Sequence, residues 1–162
     1  MILFFLILSS CRKNQPWEYS GIRSENREHD FAKIFYPPSN ELDGIQCEIV
    51  RTGDTIQGYL SVTHFEIPPY KKNNELACVT LISEDREQSF IITRFQGGQK
   101  LKLSKECLEA LINGLKTSSP LIIKTGHFSQ KIDSELFTSY YQMLEKRVSH
   151  YLPETLITFE VY

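Results

Sequence analysis

Ile45-Gln46-Cys47-Glu48-Ile49 alternates apolar and polar residues one by one. Successive side chains of an extended chain point to opposite faces, so this is the pattern of a half-buried strand. Thr52-Gly53-Asp54 follows as a turn signal. A second strand then runs towards Ile67, with Ile56, Leu60 and Val62 on one face and Tyr59, Phe65 and Ile67 on the other; a bulge near Thr63 would reconcile the two sets. Pro68-Pro69 stops it.

Downstream, Leu76–Ile82 is apolar on both faces, as in a central strand. Glu84–Glu87 reads as a charged turn, Phe90–Phe95 as a fourth strand and Gln96-Gly97-Gly98-Gln99 as a hairpin loop. Leu101 and Leu103 point inward from a fifth strand, with Lys100 and Lys102 outward. The period then changes. Ser104 is a good N-cap, Glu106 sits in the first turn, and Leu108, Leu111, Ile112 and Leu115 fall on one face of a helix. Gly114 weakens its end and Ser118-Ser119-Pro120 breaks it. Leu121–Lys124 is a short strand. Asp133 or Ser134 caps a second helix with Phe137, Tyr140, Tyr141 and Leu144 on one face, and Ile157, Phe159 and Val161 alternate as a last strand. The order predicts an α+β, mainly β, fold: an antiparallel β-sandwich-like domain with two short helices over an open end or face. A single sheet with both helices on one face is the alternative.

Upstream of Asp43 the signals fade. Phe31–Tyr36 reads either as one turn of helix or as an edge strand, ended by Pro37-Pro38. Arg12–Asp30 is polar and has neither period. It is expected to be a tether dispensable for folding, whose Trp17 and Tyr19 either touch lipid headgroups or fold back on the domain.

The chain opens Met1-Ile-Leu-Phe-Phe-Leu-Ile-Leu-Ser-Ser-Cys11. The apolar run is too short to span a bilayer and fits the core of a signal peptide. Leu8-Ser9-Ser10-Cys11 resembles the lipobox of bacterial lipoproteins. That resemblance implies a diacylglycerol on the Cys11 thiol and cleavage between Ser10 and Cys11. No Lys or Arg precedes the run, so the start of translation is expected upstream of Met1. The expected organisation is a signal peptide over 1–10, a lipidated cysteine and polar tether over 11–42, and a single β-rich globular domain over 43–162. Arg12 is not the Asp that, in Gram-negative sorting, signals retention at the inner membrane. The resemblance therefore implies an outer-membrane lipoprotein held to the membrane by the lipid on Cys11.

Net charge is −2 and 41% of the residues are hydrophobic, so the chain can build a core and carries no basic excess for nucleic acid. From Phe90 onward the order of elements is similar to the invasion-associated locus B family of secreted bacterial β-sandwich proteins. The comparable runs are Phe90–Leu103, Ser104–Leu115, Leu121–Lys124 and Phe128 onward. That family carries a paired-cysteine loop before its helix, where this chain has Gln96-Gly97-Gly98-Gln99. The resemblance implies a secreted effector as one reading of function.

Few residues suggest chemistry. His64 and Glu66, two apart on a predicted strand, face one way and could hold a metal or form an acid/base pair; two polar residues at a strand end is the ordinary reading. Gly126-His127-Phe128-Ser129 with Asp133 offers hydrolase residue types without the G-x-S-x-G elbow. Arg94, Lys100, Lys102, Lys105 and Lys124 form a candidate patch for anionic headgroups or glycans. Tyr140 and Tyr141 read as helix packing, with Tyr151 as a further candidate for a binding surface. No catalytic set, metal site or cofactor is expected. The function expected is a lipid-anchored cell-envelope protein with a structural, binding or host-interaction role, through an envelope protein or glycan partner; an envelope hydrolase around His127 or His64 is the alternative. With Cys11 lipidated, three cysteines remain. Cys47 and Cys78 are the leading pair if a disulfide forms, although free buried thiols are favoured. Cys107, near a helix N-terminus, would have a lowered pKa if exposed.

Overall fold

The computed structural model describes residues 17–22, 30–84, 86–117 and 120–146. Nine strands and two helices follow in the order β1 (Glu18–Ile22), β2 (Phe31–Tyr36), β3 (Gln46–Thr52), β4 (Thr55–Ser61), β5 (Leu76–Ser83), β6 (Arg86–Arg94), β7 (Lys100–Lys102), α1 (Lys105–Lys116), β8 (Leu121–Thr125), β9 (Phe128–Ile132) and α2 (Phe137–Lys146). All nine strands form one antiparallel sheet in the order β1-β2-β3-β4-β7-β6-β5-β8-β9. The expected class, mainly antiparallel β with two short helices, is the class observed.

The alternating strands supply the core. Cys47 and Ile49 of β3 point inward and are fully buried, as are Leu60 of β4, Val79 of β5, Leu101 of β7 and Ile123 of β8. β5 lies inside the sheet, between β6 and β8, but only its Ala77, Val79 and Leu81 face is buried. Gly53, at a φ of 56°, makes the turn between β3 and β4, and Gly97 and Gly98 make the one between β6 and β7. β4 ends at Ser61, short of the strand expected to run to Ile67. Arg94 explains the early end. Its guanidinium donates to the Ile67 and Asn74 carbonyls (2.7 and 3.1 Å) and to Glu66 (2.9 Å), which folds residues 66–74 into a clamped loop.

α1 begins where its cap predicts. The Cys107 N–H donates to the Ser104 hydroxyl at 3.2 Å, and Cys107, Leu108, Leu111, Ile112 and Leu115 are its buried face. Gly58 lets the helix lie close on β4, because a Cβ there would stand 2.8 Å from the methyls of both Leu103 and Leu108. α2 buries Phe137, Tyr141 and Leu144. Arg51 of β3 donates to the Leu144 carbonyl at 2.7 Å, a cation placed against the helix C-terminus.

Residues 17–22 and 31–36 correct the expected domain boundary at 43. β1 and β2 pair along their whole lengths, and β2 pairs with β3. Phe31–Tyr36 is thus a strand, second from the edge. Trp17 is 1% exposed, with its ring against Tyr36 and Phe137 (centroids 5.2 and 4.9 Å). A residue of that size gains more from burial than polar neighbours cost it, so this part of the tether belongs to the core. Trp17 reaches Asp133, and Gln130 of β9 accepts from the Ser39 N–H at 2.9 Å. The two ends of the strand order therefore meet, and the sheet bends round its buried face. The expected signal peptide, Ser10, Cys11, Tyr151 and the last strand at 157–161 lie outside the described residues.

Candidate functional site

The expected histidine pairs do not assemble. His64 lies in a bend beyond β4, its Nε2 4.0 Å from the Glu41 carboxylate, while Glu66 is held by Arg94. His127 sits in the β8–β9 turn with its ring against Phe65 and Phe128 (6.3 and 4.0 Å between centroids). Ser129 faces away from the core on β9. Asp133 lies beyond the far end of that strand, about 16 Å along the chain from Phe128. Its carboxylate accepts from the Glu135 N–H and its carbonyl from Trp17. Among the described residues, no group of three or more His, Cys, Asp or Glu could hold a metal.

The five basic residues do not form one patch. Arg94 is turned inward and buried. Lys100 lies over the Tyr59 ring and 3.5 Å from Glu48, which also pairs with Lys33. Lys105 stands on α1, 4.0 Å from Glu109. Lys102 and Lys124 lie on β7 and β8, with β6 and β5 between them. Tyr140 stacks on Tyr19 and Tyr141 on Phe137, as helix packing requires.

Cys47, Cys78 and Cys107 are free. Cys47 faces inward on β3 and Cys78 outward on β5, with β4, β7 and β6 between them. Four strand spacings of about 4.8 Å and opposite faces put the pair out of disulfide range. Burial pushes the Cys107 thiol up to about 12, the reverse of the lowering that exposure at the helix N-terminus would give.

A concave feature among the described residues lies elsewhere, between α1 and the β5–β6 hairpin. It is a groove of about 610 Å³, a size usual for ligand sites. Its helical wall is Glu106, Glu109, Ala110, Asn113, Gly114 and Thr117. These positions recur every three or four residues, so they are the polar face of α1, beside its buried one. Ala110 and Gly114 keep this wall low. The sheet supplies Leu81 and Phe90 as an apolar floor, with Gln88, Ser83 and Arg86 towards the hairpin tip and Leu121 on the β8 side. The backbone N–H of Glu106 itself, with the Ser104 hydroxyl, holds the Glu106 carboxyl below its usual range, so it stays ionised. The arrangement can desolvate an apolar group against Phe90 and offer charges and amides around it.

The sequence places Leu81 and Phe90 on strands and the helical wall on a helix. It leaves Ser83 and Gln88 outside the expected strands and Arg86 in a charged turn that is here part of β6, and it does not bring them together. The helix phase, which leaves 106, 109, 113 and 117 on one unburied face, was the available signal. No helix among the described residues is long and apolar enough to cross a membrane. No family model, curated protein or solved structure matches this chain.

Proposed function

We propose that this chain is a lipid-anchored bacterial cell-envelope protein, held at the outer membrane through Cys11, whose domain works by binding rather than by catalysis. The groove carries the binding half of this reading: its walls are amides, hydroxyls and charges around an apolar floor, the composition of a recognition site. The anchoring half rests on Leu8-Ser9-Ser10-Cys11 and the apolar run before it. The experiment is metabolic labelling in bacteria with an alkyne-bearing fatty acid, comparing wild type with Cys11→Ala. Wild type should take up label and fractionate with the outer membrane, and the variant should do neither. Wild type that takes up no label and keeps residues 1–10 would overturn the anchoring.

A further inference from the structure

We draw no further inference here: the strongest candidate, the groove between α1 and the β5–β6 hairpin together with the β6 edge beside it, has its carboxylates at Glu87, Glu106 and Glu109 matched by the cations Arg86, Lys102 and Lys105, and nothing in the structure shows what covers it.

Discussion

The indole N–H of Trp17 donates to the carbonyl oxygen of Asp133 at 2.8 Å, across a sequence separation of 116 residues. It ties the segment before β1 to the segment before α2 and holds the two ends of the bent sheet together. The ring lies between Tyr36 and Phe137, so it fills the seam as well as bonding across it. Trp17→Ala should cost about 3–5 kcal/mol, the range for emptying a buried aromatic site. Trp17→Phe should recover much of that, since the ring returns and only the hydrogen bond is lost. Urea unfolding of the three proteins measures both. A chain beginning at residue 31 should be less stable than one beginning at Arg12. Equal midpoints for the two would return Trp17 and β1 to the status of a tether.

Arg94 makes its three hydrogen bonds through a guanidinium that Gly98 lies directly against. A side chain at 98 would collide with it, and the backbone there has a φ of 68°, where Cβ is disfavoured. Gly98→Ala should therefore destabilise by about 1–3 kcal/mol. Arg94→Ala should cost more, because the Ile67 carbonyl loses a buried donor. Glu66→Gln should change little, since that carboxylate is 71% exposed and screened. Thermal melts should place Glu66→Gln highest, Gly98→Ala below it and Arg94→Ala lowest.

What was legible in the sequence, and what was not, divides on the source of each element's stability. β3, β5 and α1 bury one face or two, and burial writes a period into the residues. β1 does not, because Glu18–Ile22 is almost wholly exposed and is held by pairing with β2. Trp17 therefore stands among polar neighbours in the sequence, and of the two readings open to it, lipid headgroups or the domain, the partners that decide for the domain are far along the chain. Arg94 reads as surface charge in the sequence because arginine usually is, and the carbonyls that satisfy it come from a loop about 20 to 27 residues earlier. The groove had half a signal. The polar face of α1 could be read, but its place beside the β5–β6 hairpin depends on where the chain turns and on which strand lies next to which.

The fold should weaken steeply on the alkaline side. Burial raises the pKa of Cys47 and Tyr36, takes Cys107 up to about 12 and, with Glu145 nearby, takes Tyr141 to about 12. Each of these groups ionises earlier in the unfolded chain than in the folded one. Above the unfolded thiol pKa, near 8.5, the unfolded state binds fewer protons, so stability falls as pH rises. The stabilisation is complete below that point and declines until the folded-state values are reached. For Cys107, which is fully buried, the slope approaches about 1.4 kcal/mol per pH unit between roughly pH 9 and 12. Urea midpoints at pH 8, 9, 10 and 11 should drop progressively, and Cys107→Ala should flatten the decline. A midpoint unchanged from pH 8 to 11 would contradict the burial of these groups.

The same burial decides which thiols react. A thiolate attacks and a thiol does not, so a cysteine with a pKa of about 12 is ionised in only about one molecule in 10⁴ at pH 8. Cys107 and Cys47 are also closed to solvent, and each helps shield the core that α1 lays over β3 and β4. Cys78 differs: it faces outward on β5, is partly exposed, and its carbonyl, not its sulfur, takes the hydrogen bond from Thr125. Iodoacetamide at pH 8 should therefore label Cys78 first in the folded protein. Cys47 and Cys107 should be labelled only at the rate of unfolding, and all three at once in urea. Peptide mapping of the alkylated, unreduced protein should show Cys47, Cys78 and Cys107 each singly modified, with no linked pair among them. Prompt labelling of Cys107 in the native protein, or a Cys47–Cys78 crosslink, would mean that these strands and α1 pack differently.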